Sequence, residues 1–461
     1  MLQGLVHSPV SGSLGRQCAW RKSAPCVNAS RPWRRGAKRC PKQQSALKLC
    51  AQQYDVVGLG NLCVDVISPV DSLPKGPKNM QMLDELNAGP LDETSWEVGG
   101  NCNFLIAAAR MGLRTASVGH AGCDVYGDFL AKTLHDEGVE ALERIAPPTS
   151  SSDSADGTYS SPTPEEAALL QQTLICFVLV DPLGRHAFCS LYDFGPWPLL
   201  RGINHLPRRA MELVESARTV FVNGFIFDEL RLDVVQEACQ VAMQKGGAVF
   251  FDPGPRCFTM MEGSRRVALD TILNLSTVVL LTEEEAAVVT GQQKAEAAAR
   301  SLLSRKDAFT RWCVVKQGAH GATLASKDPA NGAITIHQSP GFKVAVQDTV
   351  GCGDSFASAV VLGYNNSLPI PLTLALANAV GAATAMGRGA GRSVAKAEQV
   401  RALLLRCLDG VHHEQRMSQA YSDVVLRQAI NIVQAQLDLA HIDRRPSMVA
   451  SFHDQDMVQT N

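Results

Sequence analysis

Residues Asp348 to Ala359 read DTVGCGDSFASA, and the types and order of these residues suit the handling of a phosphate. Gly351 and Gly353 are followed by Asp354, and Phe356, Ala357, Ala359 and Val360 continue with helical spacing. The strand-like run Phe342 to Val346 comes just before. A strand, a glycine turn and a helix start are therefore predicted. The first N–H groups of a helix lack partners and carry the positive end of its dipole, so glycines there let an anion approach the backbone. Asp354 would lie at the lip of that anion site, where a carboxylate can take the proton of a hydroxyl attacking a phosphoryl group. The alternative role for the same aspartate is a helix cap. Cys352, between the glycines, also has two readings. It is either a thiol made reactive by the helix terminus or a small residue packed under the turn.

Such a turn needs a sheet to hold it. Apolar runs suited to strands occur at Tyr54 to Ile67, Thr219 to Asn223, Ala248 to Asp252, Val278 to Leu281 and Trp312 to Lys316. Helical patterns separate most of them, as a doubly wound α/β sheet requires. Ligands of such sheets lie beyond the carboxyl ends of the strands, which gathers Asn223, Asp252 and Thr282 around one cleft. Asn61 and Asp65 are polar residues in the first apolar run, suited to its end or to a cleft. Thr173 to Val180 and His186 to Leu191 bracket a turn-rich Asp181-Pro-Leu-Gly-Arg185 and predict a hairpin.

The chain has 461 residues, 46% of them hydrophobic, with a formal net charge of -2. That leaves room for a large core and supplies no global basic field for nucleic acid. Fourteen cysteines occur without CxxC pairs, which argues against a zinc site or a disulfide scaffold. His412-His413 is isolated in a charged stretch and suits a solvated helix face. No apolar run is long enough to span a membrane. Arg16, Arg21, Lys22, Arg31, Arg34, Arg35, Lys38, Arg39, Lys42 and Lys48 precede the first acidic residue, Asp55. With its serines and prolines, segment 1–50 is expected to be an organellar transit peptide, chloroplast rather than mitochondrion, or else a basic disordered arm. Pro147 to Pro164 is poor in apolar residues and is expected to be a disordered insertion. Ser418 to Leu439 is expected to add an amphipathic helix before a polar tail.

DTVGCGDSF resembles the D-T-x-G-A-G-D signature of the ribokinase, or phosphofructokinase-B (pfkB), family of carbohydrate and nucleoside kinases, with Cys352 where alanine is usual. The likeness runs from about Tyr54 to Leu408 and suggests a plant or algal organellar member. It implies a ribokinase-like, mostly parallel sheet flanked by helices in a domain of residues 51–410, with a small β lid from 68–98 and 173–192. It also implies ATP, Mg2+ and a monovalent cation, K+, as cofactors. Asp354 becomes the catalytic base, and the amides of Gly351, Cys352 and Gly353 the anion hole. Asn61, Asp65, Gly99, Gly100 and Asn103 are implied to meet the acceptor, although the G-G turn is one residue short of the family's. Gly318, Gly321, Thr349, Asn378 and Gly389 are implied to border the nucleotide, and Glu285 to reach magnesium through water. Asp348, Val350, Thr384, Gly387, Gly389 and Ser393 are implied to surround the monovalent cation. The stretch FFDPGPR resembles the family's D-x-N-x-R, which adds Asp252 and Arg256 as contacts, with Gly254 in place of asparagine. Thr282 likewise stands where asparagine is usual. The expected partner is a small sugar, polyol or nucleoside, with neither nucleic acid nor membrane, in a monomer or homodimer. A nucleoside kinase, favoured by the N-x-x-x-D spacing of Asn61 and Asp65, and a non-catalytic fructokinase-like scaffold of the plastid are the alternatives.

Overall fold

Four strands share one design. TVFVN (β8, Thr219–Asn223), AVFFD (β9, Ala248–Asp252), VVLLT (β10, Val278–Thr282) and WCVVK (β11, Trp312–Lys316) have apolar interiors, end on a polar residue, and are buried along nearly all their length. Continuous apolar runs are what a parallel strand covered on both faces requires. Their register aligns Asn223 with Asp252 and Thr282 with Lys316, so the polar ends form a row along the carboxyl edge of the sheet.

The computed structural model describes residues 52–74, 80–88, 92–145, 163–183, 185–409 and 421–443. The basic segment 1–50, most of the insertion at 147–164, His412-His413 and the polar tail lie outside the described residues. The remaining strands are β1 (Val56–Leu59), β2 (Leu62–Pro69), β3 (Trp96–Gly100), β4 (Thr115–His120), β5 (Ala141–Ile145), β6 (Leu174–Val180), β7 (His186–Ser190), β12 (Ala322–Lys327) and β13 (Ile334–Ser339). The main sheet has the order β13-β12-β11-β10-β9-β8-β1-β4-β5 and is parallel except for the β12 and β13 edge. A second sheet, β3-β2-β6-β7, is the small lid.

On one face of the main sheet, Phe221, Phe250, Leu280 and Val314 pack against helices Cys352–Asn365 and Ile370–Ala385. Phe104, from helix Cys102–Arg110, stacks on Phe221 with ring centroids 3.7 Å apart. On the other face Val220, Val249, Phe251, Leu281 and Val315 meet helices Leu232–Gln244, Gly263–Leu275 and Ala295–Leu303. Burying each of these large side chains contributes roughly 1.5–3 kcal/mol, so the signature helix is fixed from beneath by the sheet. The C-terminal helix runs Asp423–Asp443.

Three expectations need correction. Tyr54 to Ile67 is two strands in two sheets, because the chain leaves the main sheet after Leu59 and enters the lid at Leu62. Asn61 and Asp65 thereby sit where sheet and lid meet. Phe342 to Val346 joins neither sheet; it is extended chain, with Phe342 buried against the Tyr421 ring. Pro164 begins a helix, Pro164–Gln171, capped reciprocally by Thr163 and Glu166.

Candidate active site

The signature helix starts on Gly351, whose φ of 78° is in the left-handed region, and no side chain caps it. Glycine suits that conformation at little cost. The Cys352 N–H makes a long 3.3 Å bond to the Thr349 carbonyl. Asp348 shapes the turn from the side: one carboxylate oxygen accepts the Val350 N–H at 2.9 Å and the other the Gly389 N–H at 2.7 Å. The glycine loop after helix Ile370–Ala385 is thus tied to the signature.

Asp354 lies in the first turn of this helix and is partly accessible. Its pKa is pushed up to about 7, first by burial and then by the charges of Asp252 and Glu285, against the opposing effects of Lys316 and an Asn103 hydrogen bond. A carboxyl poised near neutrality is suited to a base. Asn103 holds two parts of the site together, since its oxygen also accepts the Gly391 N–H at 2.8 Å. It therefore orients Asp354 and fixes the glycine loop. Asn101 behaves differently: its side-chain amide is buried beneath Gly58 and Gly60 with no hydrogen-bond partner in the protein.

Asp65 faces this centre from the lid. Its pKa is also pushed up to about 7, chiefly by burial, with contributions from Glu97 and Asp354, while the Cys63 thiol donates to it at 3.3 Å. Gly99 has no room for a side chain because a Cβ would stand 2.2 Å from the Asp65 carboxylate. Asn61 accepts from the Asn223 amide at 3.0 Å, and the Asn223 oxygen has no partner in the protein. The lid lies over the body: His186 on β7 is 3.7 Å from Asp348, and Glu97 on β3 pairs with Arg392 of the glycine loop at 3.0 Å.

The resemblance read from the signature is matched by wider comparison. Residues 201–397 match the model described as pfkB family carbohydrate kinase. That stretch of the chain is similar to the pfkB family. It is 22% identical to 5-dehydro-2-deoxygluconokinase 1 of Bacillus cereus over 331 residues, which is 71% of this chain and 87% of the relative. It is 24% identical to the ATP-dependent ribose-1-phosphate kinase of Halopiger xanaduensis, over 77% of this chain and 99% of the relative. Among solved structures, a candidate ribokinase II of E. coli in complex with ATP and Mg2+ superposes with a TM-score of 0.57 at 19% identity, covering 77% of this chain and 99% of that one. Arabidopsis thaliana ribokinase complexed with ribose and ATP gives a TM-score of 0.53 at 17% identity, covering 76% of this chain and 98% of that one. The fold is ribokinase-like, and the relatives matched by sequence are kinases.

Within that family frame, several departures acquire physical reasons. Thr282 caps helix Glu283–Thr290: its hydroxyl accepts the Glu285 N–H while the Glu285 carboxylate accepts the Thr282 N–H at 2.8 Å. This reciprocal box explains a threonine here and commits one oxygen of Glu285. Arg256 turns away from the cleft to Asp193 at 3.2 Å and Asp228 at 2.6 Å, bridging the lid's exit to the body. Asn378 donates to the Ser339 and Pro340 carbonyls and to the Tyr421 hydroxyl, an arrangement that ties its helix to the end of β13. Gly318 and Gly321 are turn residues with φ of 53° and 97°, and a Cβ on Gly321 would meet the Ser339 carbonyl at 2.0 Å.

The reactive reading of Cys352 is overturned. Burial pushes its thiol up to about 12, helped by the charges of Asp348 and Asp354. A helix terminus cannot lower the pKa against those carboxylates, so the thiol stays protonated and packs under the turn. Two residues of the site escaped the sequence reading. Lys316 appeared only as the end of a strand, and His186 only as the start of a lid strand. A charged last residue on an otherwise apolar central strand was the available signal for Lys316.

Proposed function

We propose that the protein moves the terminal phosphoryl group of ATP directly to a hydroxyl of a small, uncharged sugar or polyol. The observation that carries this reading is Asp354, a carboxyl raised to about 7 at an uncapped helix start, with Asp65 facing it from the lid. As the acceptor oxygen bonds to the terminal phosphorus, the bond from that phosphorus to the bridging oxygen breaks and ADP leaves. The acceptor proton passes to Asp354, and no residue carries the phosphoryl group. Helix-start amides stabilise the charge that builds on the transferring group, and the lid excludes water.

Magnesium fits the donor set beside this turn. The uncommitted oxygen of Glu285 is a hard oxygen donor, and magnesium favours one or two carboxylates together with water and substrate phosphates, whereas both Asp252 oxygens are engaged by the Gly254 N–H and the Lys316 ammonium. Bound there, it would neutralise charge on the phosphates.

The acceptor end of the cleft is acidic and amide-lined, with Asp65, Asn61 and Asn223. Carboxylates and amides suit neighbouring hydroxyls and repel a phosphate. This favours a neutral polyhydroxy compound over a phosphorylated one such as the acceptor in the name of the Halopiger relative. ADP release measured over sugars, inositols, nucleosides and their monophosphates tests the reading. A neutral sugar or polyol is the expected acceptor. Release with nucleosides or phosphorylated compounds alone would overturn the acceptor class, and release with none would leave the non-catalytic scaffold.

We also propose a monovalent-cation site in the glycine loop. A Cβ on Gly387 would stand 3.3 Å from the Ser393 carbonyl and 3.4 Å from that of Thr384, so two carbonyl oxygens converge where glycine leaves space. Asp348 binds the Gly389 amide of the same loop. Potassium is expected to raise turnover by ordering this loop against the anion hole. Equal rates in potassium and in a bulky organic cation, at matched ionic strength, would sink the proposal.

A further inference from the structure

Lys316 is the last residue of β11, after the buried run Cys313, Val314 and Val315. Its side chain is 13% exposed, and Nζ lies 2.5 Å from a carboxylate oxygen of Asp252 at the end of β9. Withdrawing an ammonium from water costs several kcal/mol unless partners compensate. The Asp252 and Glu285 charges more than offset that penalty, holding its pKa above the usual lysine value. The group is therefore a buried cation at the carboxyl edge of the sheet, among Asp252, Glu285 and Asp354.

Its position relative to the signature turn is the second observation. A Cβ built on Gly353 would be 3.5 Å from Nζ. The ammonium thus borders the first turn of the uncapped helix, and the absence of a side chain at 353 leaves a gap between it and the helix backbone. An ammonium has three N–H donors on a flexible stem, so pairing with Asp252 leaves donors for a further acceptor. Three carboxylates around an anion hole would repel a triphosphate if nothing opposed them. Lys316 is the cation that faces them.

We propose that Lys316 is a catalytic residue that binds an oxygen of the transferring phosphoryl group, reaching it across the gap at Gly353 while Asp252 holds the ammonium in place. This rests on the kinase reading above and assigns a role to a residue outside the signature. Asp252 then acts as a positioning residue, aiming the ammonium at the terminal phosphate. The contact exists only when that phosphate is present, which separates it from a general effect on nucleotide binding.

The test compares ATP with ADP. Calorimetric titration in magnesium buffer, without acceptor, would be run on the wild type, Lys316→Met, Lys316→Arg and the double variant Asp252→Asn with Lys316→Met. A charge-assisted contact to one phosphate is expected to be worth roughly 10–100-fold in binding. Lys316→Met should lose about that much ATP affinity while ADP affinity changes less than about threefold, with Lys316→Arg retaining part of the difference. The double variant removes the unpaired buried carboxylate that Lys316→Met would leave, and should bind ADP yet still fail to prefer ATP. Parallel loss of ATP and ADP in both Met variants, or a wild-type preference for ATP in the double variant, would overturn the proposal. A wild type that binds neither nucleotide would instead overturn the kinase reading on which it stands.

Discussion

Asp354→Asn is expected to lose about 10²–10⁴-fold in turnover, the range typical of positioned acid–base catalysis, and to melt at a higher temperature than the wild type at pH 8. Asparagine keeps the shape of the side chain and can still pair with Asn103, but it cannot take the acceptor proton. The stability gain follows from linkage. Asp354 titrates at about 7 in the folded protein against 3.8 for its ordinary value, so folding favours its protonated form. Its favourable contribution is complete below the ordinary value and is lost as pH rises through about 7. At pH 8 the ionised carboxylate opposes folding by on the order of 2 kcal/mol, after discounting for its partial access to water. Asparagine removes that penalty, so the gain should be present at pH 8 and absent near pH 4. In the wild type, kcat/KM for the acceptor should rise with pH through about 7. Asp65 is raised into the same range, so the limb would report the pair rather than one group. Near-normal turnover in the variant would remove Asp354 as base, and an equal thermal gain at both pH values would assign the gain to packing.

How much of this was legible depended on the kind of signal. Strands β8 to β11 stood out because burial on both faces demands uninterrupted apolar residues, and each ends on a polar residue where the cleft begins. The signature turn was legible because a left-handed Gly351 and an open helix start leave a fixed order of small residues. Where the chain passes from one sheet to another, the signal failed. Both β1 and the first part of β2 are buried and mostly apolar, so nothing in their periodicity marks the crossing at Gly60 and Asn61. Phe342 to Val346 misled for a related reason: burial of Phe342 against Tyr421 produces an apolar run without strand pairing. Side-chain destinations were least legible. Arg256 could have faced substrate or Asp228, and only the folded chain brings Asp228 to it. The sign of the Cys352 shift depended on burial and two carboxylates that outweigh the helix terminus.

The lid carries the second large effect, at a residue without a side chain. Gly99→Ala is expected to lower kcat/KM for the acceptor about 100-fold or more, since displacement of a positioned group by about 1 Å can cost that much. Gly99 on β3 lies beside β2 in antiparallel register, with Cys63 opposite it and Asp65 opposite Glu97. The new Cβ would meet Asp65 Oδ1 at 2.2 Å and Oδ2 at 2.3 Å, so either the carboxylate or the strand must move. Asp65 has little freedom to yield, being buried and bonded to the Cys63 thiol. Backbone strain is not the cause, because Gly99, unlike Gly100 with φ of 59°, is absent from the positive-φ glycines. The nucleotide side depends on the turn at Gly351, so ATP affinity measured by titration should stay within about threefold of wild type while acceptor KM rises. An alanine variant with normal acceptor kinetics would show that Asp65 does not hold the acceptor.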